Sequence, residues 1–513
     1  MLTIALIAVT IVGLLLWKLS AKPKFPLPLP PGPPAEAVFG HVRLIPGDRP
    51  EVQYANWSKE YKSDVLYLNL MGKHAVVLNS AKAAMDLLDR RGANYSDRPQ
   101  FSLFDEMGWG QILTFFSQGP QFRKHRRMFN TAFSAGNCIS YRDGQVKEAR
   151  KMLKNIVNDP SDWRKYMVFF ATSIIIRLTY GMEVTDPDDP LVDLADKGGK
   201  SVSDGGPAGA TMVDLFPAVR SLPNSLSWLV PSLKFARDQI PVLRAMRDVP
   251  FGMVQEQMKA NNAKDSFLVR VLNERANRTD AEKTDASEFV TDDDLKGATS
   301  TIFTAGQDTT WSQLTYFVLA MTYYPDIQVK ARAEIESVVG FGRLPDFSDE
   351  ANLPYVSRVV QEALRWNLVV PLGIPHVNNK DDEYKGYFIP KGSLVIANGY
   401  AIHRDEKVYQ NPHLFNPDRF IPKEHGGRGE PVPIAHFGFG RRICPGQHLA
   451  YANVWISIAS LLATVEFSKA TDERGFEITP DPVITLGVTS HPRDFPCIIT
   501  PLPHAKALVE ASL

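Results

Sequence analysis

The sequence predicts a mainly α protein with a minor β region. Three observations carry that expectation. An apolar pattern runs from Thr291 to Tyr324 and stops at Pro325, which reads as a helix of about 30 residues, ~45 Å long. Helical periodicity dominates from about Val146 to Met321. Strand-like runs are short and confined to Val65–Leu70, His74–Leu78, 376–402 and 483–501, with Pro and Gly between them. No repeat and no linker divides the body, and polar residues 277–288 read as a surface loop.

Lys+Arg and Asp+Glu are equal at 57 each, so no global charge draws the chain to nucleic acid. Three cysteines, Cys138, Cys444 and Cys497, are too few for a disulfide framework. Leu2 to Trp17 carries no charge, and Lys18, Lys22 and Lys24 follow it. Residues 1–19 are therefore expected to form a single-pass transmembrane anchor with the body on the cytosolic side. Residues 20–34 are basic and proline-rich, a stiff linker, and the globular body is expected over 35–513.

Chemistry concentrates around Cys444, in Phe437-Gly438-Phe439-Gly440-Arg441-Arg442-Ile443-Cys444-Pro445-Gly446. Gly440 and Gly446 remove side chains on either side of the sulfur and let the main chain approach a large flat ligand. A single thiolate framed by Phe437, Arg442 and these glycines suits the axial ligand of a haem iron; a small buried hydrophobe is the plainer alternative. The middle of the long helix reads Ala305-Gly306-Gln307-Asp308-Thr309-Thr310, and Gly, Asp and Thr are poor choices for a buried helix interior. Ala305 and Gly306 would leave room for a ligand above the iron, with Asp308 and Thr309 as a proton-delivery pair; a simple kink is the alternative.

Other motifs frame these two. Pro354 opens a helix on which Glu362 and Arg365, three apart, share a face, and Arg419 follows in Pro417-Asp418-Arg419-Phe420. If buried together, the three would form a structural network. Pro120 starts a further helix with Phe122 and Arg126 on one face. Arg126, Arg442 and His376 are candidates to meet two haem carboxylates, leaving Arg123, Lys124 and Arg127 as a surface basic patch for an acidic electron donor. No GxxxxGK[ST], HExxH or GxSxG occurs.

In this order the motifs resemble those of the cytochrome P-450 superfamily, over Ala35 to Leu502. The overall pattern looks most like fungal members, many of which serve secondary metabolism or xenobiotic oxidation. The resemblance implies the helix-rich triangular prism of that family, with a long central helix over the haem. It implies heme b, iron protoporphyrin IX, with Cys444 on the iron, and a monooxygenase that oxidises a hydrophobic small molecule with O2. The anchor and proline strut are similar to the microsomal type, which implies NADPH–cytochrome P-450 reductase as donor, cytochrome b5 as a further partner, and the endoplasmic reticulum membrane. A haem-thiolate isomerase or dehydratase needing no reductase, and a non-enzymatic haem protein, are the alternatives. Phe122 stands where the family usually has Trp, so one N–H donor is missing. Phe101, Phe104, Trp109, Phe115 and Phe116, with Val369, Val370, Leu372 and Val488, are candidates to line a pocket.

Overall fold

The computed structural model describes residues 25–206, 209, 211–277, 289–485 and 487–512. The expected anchor and most of the 277–288 loop lie outside the described residues. Among the described residues no helix is long and apolar enough to cross a membrane. The chain is helix-rich with short sheets, as its pattern predicts. Its contacts gather into two compact units. Each unit gathers distant stretches of chain, so no linker in the sequence marks the division.

One unit holds the residues up to Pro99 together with Pro371–Asp405 and Gly438–Ile443. Its strands are β1 (Val65–Leu70), β2 (Lys73–Leu78), β3 (His376–Val377), β4 (Asp382–Tyr384), β5 (Tyr387–Ile389) and β6 (Leu394–Ala397). They form a four-stranded sheet in the order β1–β2–β6–β3 and a separate β4–β5 hairpin. β2 runs parallel to β6 and antiparallel to β1. As an inner strand it buries Ala75, Val76, Val77 and Leu78 in succession, which explains a continuous apolar run where an edge strand would alternate.

The proline-rich stretch belongs to this unit and is docked on its strands. Pro31 O accepts a hydrogen bond from Tyr67 N at 3.0 Å, and Pro28 O accepts one from Phe388 N at 2.8 Å. His41 Nε2 lies 2.8 Å from Pro33 O. Proline has no N–H to give but keeps its carbonyl, so the run serves strands as an acceptor edge. The Phe25 ring packs on Phe388 at 5.3 Å and on His74 at 5.7 Å. The packed region thus begins at Phe25, ahead of the expected Ala35.

The other unit comprises Gln100–Val370, Glu406–Phe437 and Cys444–Leu513. Its axis is the helix Asp292–Tyr323, 32 residues long. The capping box expected from Thr291 and Asp294 is present: Asp294 N donates to Thr291 Oγ1 at 3.1 Å and Thr291 N donates to Asp294 at 2.8 Å. The helices Trp163–Tyr180 and Gln447–Thr464 pack on this axis. Phe170, Leu314, Phe317, Val359, Trp455 and Leu461 are among the buried residues of the core they share. β7 (Val465–Lys469) and β8 (Cys497–Pro501) pair antiparallel beside it.

The helix Pro354–Trp366 carries the ion network. Glu362, Arg365 and Arg419 are all buried. Arg365 grips Glu362 in a two-pronged bond, Nε to Oε2 at 2.7 Å and Nη2 to Oε1 at 2.8 Å. Arg419 Nε reaches Glu362 Oε1 at 3.1 Å, and Asn416 N donates to the same oxygen at 2.8 Å. Arg419 also holds Glu430 at 2.5 Å. Tyr409 presents its ring to both guanidiniums, 5.3 Å from Arg365 and 5.9 Å from Arg419. Breaking a buried pair on one side strands the other charge. Glu362→Ala is therefore expected to lower the unfolding free energy by roughly 3–5 kcal/mol, read from the midpoint of urea denaturation.

Candidate active site

Within the helical unit, Cys444 N donates to Phe437 O at 2.8 Å, which closes the loop onto its own start. Cys444 is half-buried. Burial raises its thiol pKa, while the Gly446 amide and the nearby Arg126 guanidinium draw it back down. Pro445 has no N–H, so Gly446 is the residue that supplies the backbone donor. The amide and the cation partly offset that rise and favour the thiolate, the form in which sulfur binds a soft metal. Arg126 itself is half-buried on the helix Pro120–Ala132, with Phe122 buried one turn before it.

The roles expected of the two glycines divide. Gly440, in the sheet-bearing unit, has φ +58°, and a Cβ there would collide with Leu88 O. Its missing side chain lets the loop lie against the backbone of the Met85–Arg90 segment. Gly446 has an ordinary φ of −87°; a Cβ there would stand 3.9 Å from Cys444 Sγ, so this is the glycine that faces the sulfur.

The sheet-bearing unit gathers cations. His376 is buried with Nδ1 2.6 Å from Tyr95 O. Arg442 Nε donates to Ser96 O at 2.7 Å. Arg98, which sequence reasoning did not select, donates through Nη1 to Ile374 O at 2.5 Å and Pro375 O at 2.8 Å. Burial and the neighbouring Arg442 push the Arg98 pKa down, and burial, Arg98 and Arg442 do the same to His376. Arg98 Nε has no hydrogen-bond partner among the described residues. Two buried guanidiniums that repel one another, one with an orphaned donor, beside a His376 that burial holds neutral, form a setting that fits an anionic ligand such as the carboxylates of haem.

The long helix is buried on both sides of a short gap: Ala305 is exposed and Thr309 half-buried. These two lie four apart on one face, which leaves that face open. Thr309 Oγ1 donates to Ala305 O at 2.8 Å. Gly306 does not widen this gap; a Cβ on it would overlap Ile175 Cδ1, so its smallness serves packing against the helix Trp163–Tyr180. Asp308 is buried and turned elsewhere, its Oδ1 close to Gly199. Burial pushes its carboxyl pKa up to about 6, with Asp196 adding to the rise and Thr489 and Trp311 opposing it.

Two further placements differ from expectation. Lys124 is not a surface cation: its Nζ pairs with Asp294 at 2.6 Å, beside His125 at 3.2 Å. Only Arg123 and Arg127 of that trio stay exposed. Glu430 completes the Arg419 network from a polar loop that carries no sequence signal for it. Arg98 had a weak one, a charged residue between buried Tyr95 and Pro99 in a stretch that Pro99 forces to be extended. Of the aromatic candidates, Phe115 stacks on Phe104 at 4.5 Å and meets Phe101 at 4.8 Å. Leu113 N donates to Thr301 Oγ1 at 3.3 Å, which lays this segment on the long helix one turn before Ala305.

Comparison with known proteins agrees with this geometry. The cytochrome P-450 family model matches residues 30–494. A cytochrome P-450 monooxygenase of Armillaria gallica is 37% identical over 490 residues, 94% of this chain and 93% of that protein. A cytochrome P-450 monooxygenase of Rhodocybe pseudopiperita is 36% identical over 498 residues, 96% and 92% of the two chains. The tryptamine 4-monooxygenase of Psilocybe cyanescens is 33% identical over 484 residues, 92% and 93%.

The raised Asp308 pKa has a stability consequence. A carboxyl whose pKa rises from 3.8 to about 6 on folding binds its proton better in the folded state. The stability it lends is complete below about pH 4 and is lost as pH rises through about 6. Asp308→Asn should therefore gain roughly 2 kcal/mol on the wild type between about pH 4 and pH 7, measured by urea unfolding at the two pH values.

Proposed function

The chain belongs to the cytochrome P-450 family and is a haem-thiolate monooxygenase that uses O2 and a redox partner; on that premise we propose that it hydroxylates a hydrophobic small molecule with electrons passed from NADPH by a reductase. The observation that carries the reading is the open face at Ala305 and Thr309 on an otherwise buried helix. The aromatic cluster Phe101, Phe104 and Phe115, on a segment bonded to that helix, supports an apolar substrate. One relative is named for its action on tryptamine, which makes aromatic amines a first set of compounds to screen.

Heme b fits the groups described. In the helical unit Cys444 would hold its iron and Arg126 a carboxylate, and in the sheet-bearing unit Arg98, Arg442 and His376 are the groups suited to a carboxylate; when bound, it supplies oxygen activation and electron storage. Phe122 contributes a packing face and no donor. The chain's own residues do the rest. The open face admits substrate and keeps its reacting carbon near Thr309. The Thr309 hydroxyl rests on the Ala305 carbonyl, so its proton is held in place while its lone pairs are free to accept another. Asp308, partly protonated near neutrality and turned away from that face, would return protons to Thr309 after a change of side-chain rotamer. The apolar N-terminus followed by Lys18, Lys22 and Lys24 supports a single-pass anchor in the endoplasmic reticulum, with the body facing the cytosol beside a flavoprotein reductase and cytochrome b5. Exposed Arg123 and Arg127 offer an acidic partner a docking point.

Cys444→Ser is expected to abolish the carbon-monoxide difference band characteristic of the family; a surviving band would remove Cys444 from the iron. Thr309→Ala is expected to keep NADPH oxidation while diverting it to hydrogen peroxide, checked by comparing product formed with NADPH consumed.

A further inference from the structure

The helix Pro120–Ala132 is moored at both ends. Toward its C-terminus, Asn137 Nδ2 donates to Thr131 O at 2.6 Å and Tyr141 OH to Ala132 O at 3.1 Å, while the Phe129 ring meets Phe267 at 6.2 Å. Toward its N-terminus, three of its side chains converge on one carboxylate, that of Asp294 in the first turn of the long helix. Lys124 Nζ donates to Asp294 Oδ2 at 2.6 Å, Gln121 Nε2 donates to Oδ1, and His125 Nε2 lies 3.2 Å from Oδ1. Lys124 Nζ also donates to Phe289 O at 3.0 Å. Positions 121, 124 and 125 form one stripe of their helix, and the Phe116 ring packs on His125 at 4.9 Å.

A helix cap requires less than this. The cap is complete with Thr291, whose N and Oγ1 both donate to Asp294 Oδ2, at 2.8 and 2.9 Å, while Asp294 N donates back at 3.1 Å. Lys124 and Gln121 give up long, freely rotating side chains to add to it. Burial raises the Asp294 pKa, but the bonds from His125, Lys124 and Thr291 outweigh it and hold the carboxyl well below the ordinary range. What the extra bonds determine is the rotation of the helix Pro120–Ala132 about its axis. Gly119 at its start offers no capping side chain, so the Asp294 bonds are what hold its first two turns. Arg126 follows His125 by one residue, about 100° round the helix, and lies between the two moorings. It is half-buried and near enough to Cys444 to favour the thiolate. A rotation that released the Asp294 stripe would swing Arg126 away.

We propose that Asp294 is a positioning residue for the haem site: by holding Gln121, Lys124 and His125 it fixes the rotation of the helix Pro120–Ala132, and so the reach of Arg126 toward the sulfur and a haem carboxylate. The inference rests on Arg126 holding the haem, as read above. One carboxylate then serves two helices, capping the long one and orienting the shorter one. The clamp on the haem is thereby tied to the helix that carries Ala305 and Thr309.

A double-mutant cycle on the full-length haem-loaded protein tests this, read as the rate of haem loss to excess apomyoglobin and as the midpoint potential of the iron. Asp294→Asn keeps an oxygen for the Thr291 cap and removes the charge that holds Lys124. Arg126→Gln removes the cation itself. Each should speed haem loss by about tenfold, the lower end for a partner one step removed from a metal ligand. The double variant should be no faster than Arg126→Gln alone. The potential should fall in Asp294→Asn because a cation has moved away from the iron, whereas loss of an anion by itself would raise it. Thr291→Ala weakens the same cap without touching the shorter helix, and should leave the potential where it is. Unchanged haem loss in Asp294→Asn, an additive ~100-fold effect in the double variant, a raised potential in Asp294→Asn, or an equal shift in Thr291→Ala overturns the proposal. If Asp294→Asn loses its haem on purification, Lys124→Met, which leaves the cap whole, takes its place in the cycle with the same expectation for haem loss. If Arg126→Gln keeps haem as long as the wild type, the role of Arg126 fails first and that of Asp294 falls with it.

Discussion

One carboxylate organises the helical unit. Glu362 receives two guanidiniums and one backbone amide in a place with no access to water. An ion pair at such a site is not a large net source of stability, because desolvating the charges costs nearly what their attraction returns. What it gives is position. Arg365, Arg419 and Asn416 can be satisfied together in one arrangement only, and that arrangement fixes the stretch Glu406–Phe437. The stretch ends at Phe437, whose carbonyl holds the Cys444 amide. The geometry of the sulfur is thus inherited from a charge network that never touches it.

The long helix shows the same economy. Its register places an open face at Ala305 and Thr309 and a polar, sealed stripe through Thr304, Gln307, Asp308, Trp311 and Ser312. A helix with a uniformly apolar interior would pack more tightly and fold more stably. This one keeps a buried carboxyl whose pKa is lifted into the range where it can both give and take a proton. The destabilisation that Asp308 brings at neutral pH and its raised pKa have one cause, removal from water.

Much of this was legible in the sequence because it follows from local rules. The capping box at Thr291 and Asp294, the stops at Pro325 and Pro354, and the strand Val65–Leu70 appear where their residue types put them. Glu362 and Arg365 pair because they are three apart on a helix. What escaped depends on contacts distant in sequence. Arg98 gains meaning only from Ile374, Pro375 and Arg442, Glu430 only from Arg419, and Lys124 only from Asp294. Gly440 admits a close approach, as its residue type suggests, but what approaches is Leu88; Gly306 was expected to leave room for a ligand and instead admits Ile175, and no local pattern can name either neighbour. The division into two units was illegible for the same reason, since each is assembled from pieces hundreds of residues apart.

The docked proline run changes the mechanics of the N-terminus. A stiff linker spanning residues 20–34 would give a tethered body a reach of ~50 Å at full extension. With Phe25 to Pro33 bonded along β1 and β5, the reach left to the chain ahead of Phe25 is at most ~20–25 Å counted from Lys18. Were the expected anchor to hold the chain at a lipid surface, a body on so short a leash could not tumble freely over it. Force on the chain would enter this unit through the Pro28 and Pro31 carbonyls, into β5 and β1 at once.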